Sequence, residues 1–544
     1  MAALSDDLSA LGADFLAEEF EGDPILASIL GLDGFDDQLG DFSADAFERR
    51  TRRAAHWHER FSAVDAGGLS ADESADRDMA LATLRGRTLL ADWADWRRDP
   101  TIYLSPCFTG VQALFQHRLR DEADLVAAAI ARLEQIPSVL AAARQNLDPT
   151  VVAPLLVERA VDQARVGEDF VRAVVPAMVV DPDLRRRIGQ VGQRVAPVFA
   201  AFTAWLTEDL AHTACGDWAL GEARYTALLR ERELLDLDTA ALYALGRHQY
   251  DALDEQMRQV ASRVPGGRSD WHVVMESLNA DHPPTLEAMR AEYQAATERA
   301  RRFLREHDLV SFAQDEQCRV VPAPVFQRGV LAVASYFGPP LMTNRRVGHF
   351  FVPFTPEGAD PEQVEQRLRT NSRASIPTIA VHEAYPGHHW HTSWAAANPS
   401  RLRKVLRTPY FSEGWALYAE RVMHDHGFFT DPGQELAHLD ARIFRATRIM
   451  VDTLLHTGEM SFDQAVGFLV ARSSLSAQTA RAEVRRYCAW PTQASAYLTG
   501  SLRIEQIRDR WRDQHPGAPL REFHDRIAGS GRLALGLAER LVLG

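Results

Sequence analysis

The 544-residue sequence predicts a mainly α-helical protein with one small β element. Three observations carry this. Apolar residues recur at three- and four-residue spacing, with charged faces between them, along most of the chain. Pro, Gly and capping residues punctuate those runs where helices should start and stop. Aromatic and β-branched residues cluster in strand-like fashion at only two short places. Hydrophobic residues make up 46% of the chain, enough for a large core.

Taken in order, residues 1–60 are acidic and rich in Gly and Asp, and read as a segment packing on the body. Residues 125–146, 155–178 and 234–263 predict amphipathic helices. Residues 264–284 hold the densest turn signals in mid-chain and mark a candidate lobe boundary. Residues 286–306 follow Pro283 and Pro284 and predict a long helix with an Arg/Glu outer face. Strands are expected at residues 319–321 and 348–353. Residues 437–456 and 462–471 resume the helical pattern. Residues 61–544 thus read as a single helical domain of two lobes, with its chemistry between about 330 and 510.

Charge and cysteine usage exclude several functions. The net charge is −15, and the basic residues are nearly all Arg, Lys404 being the only Lys. No basic surface for nucleic acid is expected. Cys107, Cys215, Cys318 and Cys488 form no C-x-x-C pair, so neither a thiolate metal site nor a disulfide framework is expected. The first 20 residues lack a basic stretch followed by an apolar run, and no run approaches 18 uncharged apolar residues. The expectation is a cytoplasmic protein without a membrane span.

The strongest chemical signal is residues 381–390, VHEAYPGHHW. In the zinc-peptidase motif H-E-x-x-H, two His four apart on one helical face bind zinc, and the intervening Glu is the general base. His382 and Glu383 are in place, but the fifth position is Pro386. Either a metal site stands on a distorted helix, or the cluster is fortuitous. Three His and a Glu within eight residues, in a chain with 19 His, favour the site. In a regular helix His388 would lie about 240° around from His382, and His389 about 10 Å along the axis. Pro386 opens the ladder at the His382 carbonyl, which predicts a widened turn delivering His388 to the metal. Whether His388 or His389 is the second ligand stays open, the other being a supporting residue. A catalytic zinc needs a third protein ligand. Glu413, in the stretch SEGWALYAERV, is the candidate, with Ser412 as a possible N-cap. Gly414 permits close helix packing, and Glu420, on the same face, supports the ligands.

These segments resemble a bacterial domain-of-unknown-function family, number 885. The resemblance rests on H-E-x-x-P-G-H at His382–His388, E-G-W-A-x-Y-x-E at Glu413–Glu420, and R-Y-x-x-x-P-x-Q-A-x-x-Y at Arg486–Tyr497. It is looser over Tyr336–Pro340 and the GHFFVP segment. That family in turn resembles helical gluzincin peptidases such as the thermostable carboxypeptidase Taq, thimet oligopeptidase and angiotensin-converting enzyme types. The resemblance implies a large two-lobed helical fold with a deep central cleft and a small sheet near the metal. It implies one zinc ion on His382, His388 and Glu413, with Glu383 as general base. Tyr497 would be the oxyanion donor, and Tyr487, Gln493 and His349 would line the substrate site, His349 on a strand free to pair with a peptide. The expected function is zinc-dependent hydrolysis of short peptides or peptide-like molecules, with neither nucleic acid nor membrane as partner and a homodimer left open. The alternatives are a metal-dependent amidase on another substrate and a non-catalytic helical binding protein with a vestigial site.

Overall fold

The computed structural model describes residues 2–328 and 331–544. Helix takes up 69% of the chain and the only sheet described has three strands, so the protein is mainly α. The chain divides into two compact units. The first comprises residues 1–73, 83–220 and 340–345, the second residues 74–82, 221–339 and 346–544. The break at residue 220 precedes the turn-rich stretch at 264–284, which lies inside the second unit and carries the helix Trp271–Asn279. Turn signals there mark a local connection between helices.

In the first unit, the acidic N-terminal residues are helical. Ala2–Gly22, Pro24–Leu30 and Ala44–Ser62 form three helices, and the buried rings of Phe15, Trp57 and Phe61 meet edge-on or tilted. Glu122–Asn146 packs on the helices Thr101–His117 and Pro182–Trp205. It is long and apolar enough to cross a membrane by length and composition alone, and half of its apolar window is buried in the unit, as suits a core helix. The continuous helix expected at 155–178 is interrupted. Pro154–Arg165 ends near Gly167, and Phe170–Val174 forms a π turn before Pro176. Gly167 leaves room for the ring of Phe199, which a Cβ would approach to 2.2 Å. Pro176 lacks the N–H that would continue the ladder.

In the second unit, β1 (Gln317–Pro322) runs parallel to β3 (Val347–Val352), and β2 (Ser335–Phe337) pairs antiparallel on its other side. Both expected strands are present. The three-residue β2 is too short for an alternating pattern to announce it. Seven helices frame the chemistry: α1 (Leu286–Glu306), α2 (Ile376–Glu383), α3 (His388–Ala397), α4 (Pro409–Asp425), α5 (Pro432–Thr457), α6 (Ala477–Ala489) and α7 (Ala496–Gln514). α4 begins three residues before the expected Ser412 cap, because Thr408 accepts from the Tyr410 N–H and Pro409 suits the first turn. α5 likewise starts early on the Asp431 cap and Pro432.

α4 and α7 cross at two glycines. A Cβ at Gly414 would lie 2.6 Å from Gly500 Cα, and one at Gly500 would lie 2.0 Å from the Tyr410 carbonyl oxygen. The backbones are therefore closer than any side chain allows, as Gly414 predicts. Gly500→Ala should force the helices apart and cost about 1–3 kcal/mol, the usual range for overpacking. The drop in the midpoint of denaturant unfolding measures it, and an unchanged midpoint would mean the crossing relaxes freely.

Candidate metal centre

α2 brings His382 and Glu383 to its C-terminal end. There the ladder opens into a widened turn, as Pro386 predicts. Ala384 leaves helical conformation, the Tyr385–Pro386 peptide is cis, and α3 starts anew at His388. The Gly387 N–H donates to the Val381 carbonyl, six residues back, at 3.0 Å, closing the turn. A Cβ on Gly387 would sit 1.9 Å from the His382 oxygen and 2.3 Å from that of Val381, so the turn admits only glycine. Trp415 of α4 donates its indole N–H to the Pro386 carbonyl at 2.7 Å and stacks on Trp390, with ring centroids 5.2 Å apart.

This turn puts His382 and His388 side by side, with ring centroids 4.8 Å apart. Their Nε2 atoms face one oxygen of Glu413, at 3.8 Å from His382 and 3.3 Å from His388. Zinc ligands at ordinary bond lengths in tetrahedral arrangement lie ~3.4 Å from one another, so the spacing fits a single ion. The outward nitrogens are held too. His382 Nδ1 meets Glu420 Oε1 at 2.7 Å, and His388 Nδ1 meets His391 Nε2 at 3.3 Å. Ring nitrogens fixed by a carboxylate or other acceptor on the side away from the ion are the usual support of metal-binding imidazoles. The second Glu420 oxygen faces His438 Nδ1 at 3.5 Å.

The electrostatics favour a cation. Burial works against charge on His382, yet hydrogen bonds to Glu413 and Glu420 push it up to about 10. Burial would raise Glu413, but His388 and His382 hold it well below the usual carboxylate range. Glu383 is half-buried beside them; burial raises its carboxyl, helped by Glu413 and opposed by His382 and His388. His391 is driven well below the ordinary imidazole value by burial and by His388. Neutral His391 can thus accept the His388 Nδ1–H, leaving its own Nδ1 without a partner among the described residues.

His389 stands apart from this group. Its Nε2 meets Glu316 at 2.6 Å and its Nδ1 meets the Tyr336 hydroxyl at 3.1 Å, while Tyr385 donates to the same Glu316 oxygen at 2.6 Å. Expected as a support of the ligands, His389 instead helps fasten the turn to the segment ahead of β1. Consecutive residues at the start of a helix point about 100° apart, so only one of the two His can face Glu413.

The other expected contacts divide. Tyr497 and Gln493 are half-buried, and Gln493 Nε2 donates to the Tyr497 hydroxyl at 3.2 Å. Tyr487 is 1% exposed with its hydroxyl given to Glu483 at 2.7 Å, so it packs the wall and does not line an open surface. His349 lies on β3, the central strand, whose two edges are taken by β1 and β2. Its backbone cannot pair with an incoming peptide; the free edges belong to β1 and β2. His391, three positions on along α3, is the supporting partner of His388. Sequence reasoning missed Arg445 and Arg448 on α5. Arg448 is 4% exposed and has its guanidinium carbon 4.2 Å from the Tyr497 ring centroid.

Fold and cluster together define a mainly helical protein with a His–His–Glu centre. The chain belongs to the family described as bacterial protein of unknown function (DUF885), whose model matches residues 24–542. Among solved structures it is similar to a candidate lipoprotein of unknown function from Shewanella oneidensis, at 17% identity and a TM-score of 0.80, over 99% of this chain and 100% of that one. A candidate lipoprotein from Colwellia psychrerythraea is similar at 17% identity and a TM-score of 0.83, over 99% of this chain and 98% of that one. At such identity the likeness is one of fold. No curated protein matches the chain. The cytoplasmic placement expected from the sequence finds no support in these relatives, both described as candidate lipoproteins.

Glu316→Ala removes the carboxylate that His389, Tyr385 and Arg301 share. Leaving a buried pair half-made costs about 3–5 kcal/mol. Chemical denaturation should show a loss of that order, and a change under about 1 kcal/mol would mean that the network does not fasten the turn.

Proposed function

We propose that the protein is a zinc-dependent hydrolase that cleaves peptide bonds in short peptides. The observation that carries this is the convergence of His382 Nε2 and His388 Nε2 on one Glu413 oxygen while the opposite nitrogens are held by Glu420 and His391. Three protein ligands leave a fourth position open, which distinguishes catalytic zinc from closed structural sites. Kinship with the helical gluzincin peptidases, and the deep cleft expected of them, form part of the same proposal.

Zinc held there would polarise a carbonyl and acidify a water. Glu383, next in sequence to His382 and half-buried, takes the proton of the attacking water on its carboxylate and returns it to the leaving amine nitrogen. Tyr497 accepts from Gln493, so its own O–H is free to donate to the carbonyl oxygen as negative charge develops there. Glu420 and His391 keep the imidazoles oriented and exclude the wrong tautomers.

Purified protein reconstituted with zinc should hold about one equivalent by elemental analysis. His388→Ala and Glu413→Ala should lose it. Glu420→Gln should bind zinc about 10–100-fold more weakly. Glu383→Gln should keep the metal and lose about 10²–10⁴-fold in turnover of di- to decapeptides followed by mass spectrometry. No zinc after reconstitution would sink the proposal. Zinc with hydrolysis only of other amides would shift it to a different substrate class.

A further inference from the structure

His438 of α5 is a polar ring in a wholly buried place, 0% exposed. Neither of its nitrogens makes a hydrogen bond among the described residues. The rings of Phe429 and His424 lie nearly parallel to it, each with its centroid 5.1 Å away. His424 is itself anchored, with Nδ1 3.2 Å from Asp425 and Nε2 3.6 Å from Glu435 of α5. The plane of the His438 ring is therefore set by its neighbours. An apolar ring would fill the same slot without a polar cost, whereas a buried imidazole needs a partner to offset its lost hydration.

What His438 faces supplies that partner. Its Nδ1 lies 3.5 Å from Glu420 Oε2, an oxygen that is likewise buried and accepts no hydrogen bond among the described residues. The other oxygen of the same carboxylate meets His382 Nδ1 at 2.7 Å. Glu420, 1% exposed, thus stands between two imidazoles, one of them a candidate metal ligand. A shift of about 0.5 Å turns the 3.5 Å approach into a normal hydrogen bond. Burial draws His438 below the ordinary imidazole value, against the pull of Glu420, so the ring carries one proton. With that proton on Nδ1, the ring donates to the carboxylate and leaves only a bare Nε2. With it on Nε2, a lone pair would oppose the Glu420 oxygen, and an N–H would be buried without an acceptor. The first arrangement leaves fewer polar groups unmet. A carboxylate held through one oxygen alone is free to turn about its last bond. A donor on the second oxygen stops that turning, and with it fixes the plane of the imidazole the carboxylate supports.

We propose that His438 is a positioning residue, whose Nδ1–H donates to Glu420 Oε2 and so fixes the carboxylate that orients His382 toward the metal. The inference rests on the metal-site reading above and extends the support of that site by one residue.

The test uses the full-length protein and zinc alone, with affinity read by competition against a fluorescent chelator. His438→Phe keeps a ring and His438→Leu does not. Both lack the donor and should bind zinc about 5–20-fold more weakly than wild type, toward the low end of what an outer partner of a metal-bound imidazole is worth. His438→Asn puts an amide N–H near the former Nδ1 and should bind within about threefold of wild type. In a Glu420→Ala background no carboxylate is left to hold. There His438→Phe should cost under about twofold more, because a residue acting through another has no effect once that other is gone. A mere packing role would cost the same with or without Glu420. Unchanged zinc affinity in both donor-free variants overturns the proposal. So does an undiminished loss in the Glu420→Ala background, or His438→Asn as weak as His438→Phe. In each of these cases wild-type protein still holds its zinc, and the metal reading stands. If wild-type protein takes up no zinc, the metal reading fails and this inference falls with it.

Discussion

The widened turn between Glu383 and His388 is the constraint on which the candidate centre depends. α2 cannot continue past Pro386, and α3 cannot begin where it does unless residue 387 has no side chain, because two carbonyl oxygens occupy the space a Cβ would need. The backbone there is tied from three sides. Gly387 bonds back to Val381, Trp415 holds the Pro386 carbonyl, and Tyr385 and His389 share Glu316. The result is that two imidazoles six positions apart sit at nearly right angles, 4.8 Å centre to centre. A regular helix achieves the same juxtaposition with a spacing of four, so the extra residues change the path and preserve the end point.

The helices around that turn are arranged to serve it. α4 supplies Glu413 to the inner nitrogens, Glu420 to an outer one, and Trp415 to the turn, all from one helix. The close crossing of α4 and α7 at Gly414 and Gly500 brings the N-terminal part of α7, and with it Tyr497, close to the helix that bears Glu413. α5 then lays Arg448 beneath Tyr497. Both nitrogens of each candidate imidazole ligand are thus paired. That is the economy expected of a low-dielectric site, in which an idle charge is expensive.

Much of this was legible in the sequence. Helical periodicity gave 286–306 its full extent, and the cap-and-proline pairs explain why α4 and α5 begin earlier than their apolar pattern does. The pairing of Glu413 with the His cluster could be read from the motif, and Glu420 from its seven-residue spacing, because both follow from helix geometry within one segment. The π turn at Phe170–Val174 was less accessible, since the close approach of the Phe199 ring to Gly167 comes from another helix and leaves no local pattern.

The sequence by itself determined the helical class, the residues able to bind a metal and the place where the helix must break, because periodicity, donor chemistry and the missing N–H of proline are local properties. Only the tertiary structure decided that His388 faces Glu413 while His389 turns to Glu316, that β3 is central so His349 has no free edge, that Tyr487 is buried, and that Arg448 lies against the ring of Tyr497. Those outcomes depend on which segments far apart in the chain come to share one volume, and no local pattern encodes that.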